Sequence, residues 1–136
     1  MSNAELVKLA REAKEYAYVP YSRFRVGAAV LTSDGEVFTG CNIENASYGG
    51  TVCAERTALF KAISEGKTKF SKIAVIGDLE DYTYPCGICR QVIAEYGTDI
   101  EMIIAKGNGE FRVHKLSELL PYAFTEKDLE GRKLDG

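Results

Sequence analysis

Cysteine is scarce in this sequence, and this scarcity excludes the disulfide-rich class of small secreted proteins. Only four cysteines occur among 136 residues, and a chain of this length buries roughly two-thirds of its unfolded surface without disulfide staples. Their spacing favours metal ligation in a reducing compartment. We therefore expect one domain over residues 1–136, with an ordered core at about 1–128, a frayed tail at 131–136 and a cytoplasmic location.

Excess positive charge and long apolar runs are missing as well. The formal net charge is -3, whereas binding to nucleic acid depends on clustered lysine and arginine. No apolar run approaches the roughly 20 residues of a membrane span, and the polar N-terminal stretch is unlike a secretory signal peptide. The sequence therefore predicts no nucleic-acid partner and no membrane partner.

Helical and strand-like patterns alternate along the chain. Apolar spacing and turn residues predict helices at 3–18, 53–65 and 86–96, a short last helix capped by Ser117, and strands at 26–32, 36–41, 72–77, 100–105 and 110–114. Asp34 and Gly35 are a strong hairpin signal between the first two strands. This alternation predicts an α/β sheet with helices on both faces.

Two short motifs bring together residues that suit a catalytic metal. Cys53-Ala54-Glu55 and Pro85-Cys86-Gly87-Ile88-Cys89 supply three thiols and one carboxylic acid. Three protein ligands with an open fourth position are typical of catalytic zinc, and Glu55 is placed to move protons. Cys53 and Cys86 begin predicted helices, where unpaired N–H groups and partial positive charge favour the thiolates that zinc requires.

Two arginines stand beside the predicted ligands. Three thiolates carry more negative charge than one Zn²⁺ offsets, and this excess should blunt the ability of the metal to acidify water. We hypothesise that Arg56, Arg90 or both donate hydrogen bonds to ligand sulfurs. The alternative is that both are ordinary surface arginines.

Simpler interpretations of these residues stay open at this point. Cys86 and Cys89 suit a redox pair, although that interpretation leaves Cys53-Ala54-Glu55 without a role. A structural zinc site would take Cys41 as its fourth ligand. His114, the one histidine, lies in a predicted edge strand and is expected to be structural, and the tyrosines are expected mostly to pack.

The motifs together resemble the short-chain cytidine deaminases, a homotetrameric family of zinc-dependent nucleoside deaminases. The resemblance covers most of the chain, from about Tyr16 to Phe124, and is carried by Pro20-Tyr21-Ser22, Val26-Gly27-Ala28-Ala29, Asn42-Ile43-Glu44-Asn45-Ala46, Cys53-Ala54-Glu55-Arg56 and Pro85-Cys86-Gly87-Ile88-Cys89-Arg90-Gln91. The two cysteine motifs also match the signature of zinc deaminases. The resemblance implies a three-layer α/β/α fold with a mixed five-stranded sheet.

The resemblance also implies a reaction. Cytidine and 2′-deoxycytidine would be hydrolysed to uridine and 2′-deoxyuridine with release of ammonia, as a step of pyrimidine salvage. Zinc-bound hydroxide would attack C4 of the cytosine ring, with Glu55 as the proton shuttle and Cys53, Cys86 and Cys89 as the ligands of one Zn²⁺ per subunit.

Substrate-binding residues follow from the same resemblance. Asn42 and Glu44 would hydrogen-bond the ribose hydroxyls, Phe24 would pack on the pyrimidine, and Ala54 would offer backbone groups to the base. Ala46 belongs to the same binding loop. Tyr48 and Phe124 would reach the site of an adjacent subunit, which implies a homotetramer with shared active sites.

Two competing functions remain. Related zinc deaminases act on bases in RNA or DNA, on free nucleotides, or on aminoacyl nucleoside antibiotics, and Arg23 and Arg25 keep a 5′-phosphate in consideration. A zinc-stabilised interaction domain would bind zinc without turnover, but it gives no reason for a carboxylic acid at Glu55 beside the metal.

Overall fold

A five-stranded mixed sheet forms the centre of the fold. The computed structural model describes residues 1–130, so the predicted frayed tail at 131–136 lies outside the described residues. Within this range the strands are β1 (Val26–Thr32), β2 (Val37–Cys41), β3 (Phe70–Gly77), β4 (Glu101–Ala105) and β5 (Phe111–Lys115). Their order is β2-β1-β3-β4-β5. Only the β3–β4 pair is parallel among these strands, which confirms the mixed sheet.

Helices cover both faces of the sheet, as the alternating pattern predicts. In the described residues they are α1 (Asn3–Lys14), α2 (Ala54–Ser64), α3 (Gly87–Ala94), α4 (Leu116–Leu119) and α5 (Glu126–Glu130), with a 3₁₀ turn at Tyr48–Gly50. None of these helices is both long and apolar enough to cross a membrane.

Among the described helices, α1 alone covers one face of the sheet. Leu6, Val7 and Ala10 pack there against Ala74 and Ile103. Burial of a side chain such as Leu6 stabilises the fold by about 1.5–3 kcal/mol. Gly27 on β1 permits the close approach, because an added Cβ would lie 1.9 Å from the carbonyl oxygen of Ala10.

The larger core lies on the opposite face, between the sheet and α2, α3 and α4. Its fully buried members include Leu59 of α2, Ile93 of α3 and Leu116 of α4. The N-termini of α2 and α3 therefore lie at the same side of the sheet, which places Cys53 and Cys86 within reach of each other.

The hairpin signal between β1 and β2 is confirmed. Gly35 has a φ of 93°, the left-handed conformation that glycine adopts without steric cost. The two strands pair in antiparallel register, with Leu31 opposite Val37.

Two predicted helix boundaries are wrong. Helix α1 ends at Lys14 instead of Tyr18, because the backbone of Tyr18 pairs with the segment after β2: its N–H donates to Asn42 and its carbonyl accepts from Glu44. Ser117 does not cap the last short helix, since α4 already begins at Leu116. The backbone N–H of Ser117 donates to the carbonyl of Thr98 instead.

Candidate active site

The beginnings of two helices position the cysteine motifs. Cys53 is the N-cap of α2 and Cys86 is the N-cap of α3, and both have extended backbone conformations just before the first helical residue. The Sγ of Cys86 accepts a hydrogen bond from the N–H of Cys89 at 3.5 Å. Helix N-termini present unpaired N–H groups and partial positive charge, which favour thiolate over thiol.

Three sulfurs meet between these helix ends. The Sγ atoms of Cys53, Cys86 and Cys89 all lie within 4.8 Å of one another, and the Cys53 and Cys86 sulfurs are 3.6 Å apart. Two sulfurs that each lie about 2.3 Å from a tetrahedral zinc ion are separated by about 3.8 Å. The donor set and its spacing therefore fit zinc, with a fourth position left for water or substrate.

The other interpretations of the cysteines receive no support from the structure. All four cysteines are free thiols, so Cys86 and Cys89 do not form a disulfide. Cys41 ends β2 and lies outside the cluster of three sulfurs. A closed four-cysteine site is therefore absent from residues 1–130.

Cys53 and Cys89 have pKa values shifted in opposite directions. The hydrogen bond from Cys89 lowers the pKa of Cys53 to about 5, with further contributions from Arg56 and Cys86 that oppose the effect of burial. The same contact and burial raise the pKa of Cys89. A zinc ion binds thiolates, so a cation among the sulfurs would favour loss of the Cys89 proton.

Glu55 lies in the first turn of α2, two residues after Cys53, and is buried with 3% of its surface exposed. Burial is the main cause that raises the pKa of its carboxyl group to about 7, and the negative charge of Cys53 adds to the effect. A carboxyl group with a pKa near neutrality can both accept and donate a proton. Its position next to the sulfurs suits it to serve the same reaction centre.

The two neighbouring arginines have different contacts. Arg56 donates from Nη2 to the Sγ of Cys53 at 3.6 Å. Arg90 donates instead to two backbone carbonyls, those of Pro85 and Leu119, both at 2.8 Å. In residues 1–130, the hydrogen bond to a cluster sulfur therefore comes from Arg56, and Arg90 ties the start of α3 to α4.

A cavity of about 240 Å³ opens beside Glu55 and two of the cysteines. The segment that leads into β1, the loop after β2, the start of α2 and the segment before α3 form its walls. The lining residues are Ser22, Phe24, Val26, Asn42, Glu44, Thr51, Val52, Cys53, Ala54, Glu55, Thr83, Tyr84 and Cys86.

Asn42 and Glu44 line this cavity and also hold the loop opposite. The Asn42 amide accepts from the N–H of Val26 at 2.9 Å and donates to the carbonyl of Phe24 at 2.8 Å. The Glu44 carboxylate accepts from the N–H groups of Tyr21 and Ser22 at 3.0 and 3.1 Å. The Ser22 side chain and these two N–H groups lower the pKa of Glu44, so the carboxylate is an anionic acceptor at the cavity wall.

Three predicted binding residues lie away from this cavity. Ala46 is exposed in the loop after β2. Tyr48 is 75% exposed and its ring packs edge-on against Tyr21. Phe124 is 58% exposed near the C-terminal end of the described residues, where its backbone carbonyl accepts from the side chain of Gln91.

Sequence reasoning missed Thr83 and Tyr84, which line the cavity just before Pro85. The Thr83 hydroxyl is buried and has no partner within residues 1–130. Their position immediately before a metal-ligand motif was the available signal. Thr83 belongs to no recognisable motif, and Tyr84 is one of eight tyrosines in the chain. Nothing in the sequence pattern therefore distinguishes either residue from residues that only pack.

Comparisons with known proteins point to one family. A family model described as the cytidine and deoxycytidylate deaminase zinc-binding region matches residues 1–106. A cytidine deaminase from Halalkalibacterium halodurans is 53% identical over 130 residues, which cover 95% of this chain and 98% of that protein. A blasticidin-S deaminase from Bacillus cereus is 33% identical over 129 residues, covering 89% of this chain and 91% of that protein. The crystal structure of a cytidine deaminase from Burkholderia pseudomallei has a TM-score of 0.88 and 49% identity, covering 91% of this chain and 100% of that one.

Proposed function

The chain belongs to the cytidine and deoxycytidylate deaminase family, and we propose that it hydrolyses cytidine and 2′-deoxycytidine to uridine and 2′-deoxyuridine with release of ammonia. The observation that carries this proposal is the cavity of about 240 Å³ that has buried Glu55 and cysteine ligands in its wall together with Asn42 and Glu44. The groups proposed to react and the groups proposed to bind the sugar thus line one cavity.

Three cysteines would hold the metal. Cys53, Cys86 and Cys89 offer sulfur ligands at a spacing that fits one zinc ion. When bound, zinc supplies a Lewis acid that makes water a nucleophile near neutral pH.

Glu55 would move the protons of the reaction. Its carboxylate takes a proton from the attacking water and delivers it to N3 of the pyrimidine. It then carries the second proton of that water to the amino group on C4, which leaves as ammonia. One water is consumed and the C4 oxygen of uridine comes from it. A buried carboxyl group with a pKa raised to about 7 suits this exchange in both directions.

The cavity walls would orient the nucleoside. Asn42 and Glu44 would hydrogen-bond the sugar hydroxyls, Phe24 would pack on the pyrimidine ring, and Ala54 at the start of α2 would present backbone groups to the base. A site built to satisfy such hydroxyls rejects ligands that lack them, because its polar groups would stay unpaired.

The surroundings of Arg25 favour a nucleoside over a nucleotide. Its guanidinium group is held by Asp78 at 3.0 Å and by Glu15 at 3.0 Å. A 5′-phosphate would have to compete with two carboxylates for this arginine. The net charge of -3 likewise gives no support to binding of RNA or DNA.

We also propose a homotetramer with shared active sites and a location in the cytoplasm. Several large apolar side chains are exposed in or beside the loop that follows β2, among them Tyr18, Ile43 and Tyr48. Exposed apolar patches are typical of surfaces that bind another protein. Phe124, exposed and outside the cavity of its own chain, would complete the site of a neighbouring subunit, and Tyr48 and Ala46 would lie at the same interface.

Ammonia release by the purified, zinc-loaded protein tests the proposed function. Cytidine and 2′-deoxycytidine are the expected substrates, and cytidine 5′-monophosphate, adenosine and blasticidin S serve as comparisons. Rapid release from the two nucleosides alone would support the proposal. Release from another member of this panel would reassign the substrate, and silence on all five with zinc bound would leave a structural zinc domain.

A further inference from the structure

A short segment at residues 82–84 connects the cavity wall to the metal ligands. Thr83 and Tyr84 line the cavity, and Pro85 and Cys86 follow directly. The N–H of Thr83 donates to the carbonyl of Ala105 at 3.2 Å, which fixes the middle of the segment to the end of β4. Any displacement of this segment therefore moves both the wall and the start of α3.

Arg112 on the edge strand β5 holds both tyrosines of this segment. Its Cζ lies 3.7 Å from the centroid of the Tyr82 ring, a cation–π contact. Its Nη1 donates to the hydroxyl of Tyr84 at 3.3 Å. A planar guanidinium group can stack on one ring and donate in its own plane to a second group, which a lysine ammonium cannot do.

The Tyr84 hydroxyl has a second contact on the same strand. It lies 3.5 Å from Nε2 of His114, and Nδ1 of His114 lies 3.3 Å from a carboxylate oxygen of Glu118. In the His114 tautomer that carries its proton on Nδ1, the donors are consistent along this row: Arg112 donates to Tyr84, Tyr84 donates to Nε2, and Nδ1 donates to Glu118. Such a row of hydrogen bonds fixes the direction of each member.

We propose that Arg112 is a positioning residue that acts through Tyr82 and Tyr84 on the cavity wall and on Cys86. This inference rests on the proposed function for its effect on turnover, but its effect on zinc binding stands independently. Neither Arg112 nor strand β5 borders the cavity, so Arg112 acts only through the segment at 82–84. Partners that orient metal ligands from behind typically change metal affinity or activity by about 10–100-fold when mutated, and the effect of a more remote partner such as Arg112 should lie at or just below the lower end of that range.

The test compares Arg112→Ala and Arg112→Lys with Lys106→Ala. Lys106 is the matched control, because its Nζ lies 4.9 Å from the same Tyr82 ring, whereas within residues 1–130 the hydrogen-bond partners of the Tyr84 hydroxyl are Arg112 and His114. The measurements are kcat and KM for cytidine on fully zinc-loaded protein, the zinc Kd by competition with a chelator, and Tm.

We expect Arg112→Ala to weaken zinc binding and lower kcat/KM about five- to tenfold each, with Tm within about 2 °C of the parent. Arg112→Lys should recover little of the loss, and Lys106→Ala should stay within twofold. The double variant Arg112→Ala/Tyr84→Phe should lose less kcat/KM and less zinc affinity than the product of the fold-losses in the two single variants. The reason is that both changes break the same contact.

Three results would overturn the positioning role. These are a lower Tm with unchanged kinetics and zinc Kd, an equal effect of Lys106→Ala, and multiplicative effects in the double variant. If the parent protein does not deaminate cytidine, the proposed function fails, while the zinc Kd of the Arg112 variants still decides the positioning role.

Discussion

At the scale of single residues, Arg56 and Arg90 have different roles, although each directly follows a residue of a cysteine motif. Arg56 donates to the sulfur of Cys53, whereas Arg90 donates to the carbonyls of Pro85 and Leu119. The first contact offsets negative charge on a ligand. The second joins two helices and has no direct electrostatic effect on the cluster sulfurs.

Replacing Arg56 by glutamine should therefore lower kcat for cytidine by about tenfold while zinc stays bound, because the sulfurs keep their positions but carry more negative charge. Arg90→Gln is the matched comparison. It should lower Tm by several degrees, through loss of two hydrogen bonds, and should leave kcat of the folded protein within about threefold. Steady-state kinetics, zinc analysis and thermal unfolding of both variants check this contrast. The reverse pattern, with Arg90→Gln the more damaging to kcat at unchanged Tm, would contradict it.

The site residues could be predicted from the sequence to the extent that they stand in spaced motifs. Cys53, Cys86 and Cys89 do come together, with Glu55 beside them. Spacing on a helix turn and helix N-termini explain why that was predictable. The contacts of Arg90 could not be predicted in this way. Its partner Leu119 is 29 residues away and comes near it only through the packing of α4 on α3.

At the scale of elements, the end of β3 supports the cavity from behind. Gly77 lies there with Phe24 and Thr83 against it: an added Cβ would be 2.4 Å from Oγ1 of Thr83 and 2.8 Å from Cζ of Phe24. Both neighbours line the cavity. Any side chain at position 77 must therefore displace Thr83 or Phe24 and change the shape of the cavity.

Gly77→Ala should consequently lower kcat/KM for cytidine by about tenfold or more, and overpacking should destabilise the fold by roughly 1–3 kcal/mol. Glu65→Ala is the control, since Glu65 is exposed at the end of α2 and does not line the cavity. Kinetics and thermal unfolding of the two variants provide the check. Equal kinetic constants in both would show that the wall at Phe24 and Thr83 is not needed for turnover.

The elements themselves were predictable where a period or a turn residue marks them. Gly35 marks the β1–β2 hairpin, and its φ of 93° explains why. The end of α1 was mispredicted because residues 15–18 carry helical spacing, whereas the backbone of Tyr18 pairs with the loop after β2. Such pairing between distant segments overrides local propensity and leaves no mark in the local sequence.

At the scale of the whole molecule, a charge cluster joins α1 to the end of β3. Asp78 lies 2.9 Å from the buried Lys14 and 3.0 Å from Arg25. Burial opposes ionisation of Asp78, but hydrogen bonds from Arg25 and Lys14 outweigh it and lower its pKa to about 2. The ion pair with Lys14 also removes the cost of a buried, unpaired lysine.

Asp78→Asn should destabilise the protein by roughly 1–2 kcal/mol at pH 7, discounted for the partial exposure of this cluster. Because the folded pKa lies below the unfolded value of about 3.9, the carboxylate stabilises the fold above pH 4 and this stabilisation is lost as pH falls toward 2. Urea unfolding of the parent protein and of Asp78→Asn between pH 7 and pH 2.5 measures the difference in their free energies of unfolding. Glu36→Gln, which removes an exposed ion pair with Lys67, is the control and should cost under about 0.5 kcal/mol. A difference in free energy of unfolding between the parent and Asp78→Asn that stays constant down to pH 2.5 would contradict the link between the Asp78 pKa and stability.

The proposed sharing of active sites between subunits makes a second prediction at this scale. Glu55→Gln and Phe124→Ala should each be poorly active alone. Their co-expression should restore cytidine deamination well above the sum of the two, because a mixed oligomer contains sites with an intact Glu55 and a neighbour's intact Phe124. Light scattering on the same samples gives the oligomeric state. Activity that merely equals the sum, in samples shown to be mixed oligomers, would place Phe124 outside the shared site.

The most direct test of the account is the rate of cytidine deamination by zinc-loaded Glu55→Gln. Glu65→Gln, an exposed change at the end of the same helix α2, is the control. Because the reaction needs a group that accepts and returns protons, kcat/KM of Glu55→Gln should fall by about 10³-fold, with one zinc per chain and an unchanged fold. The Glu65→Gln protein should match the parent. A Glu55→Gln rate within tenfold of the parent, with zinc bound, would contradict the role of Glu55 as the proton carrier.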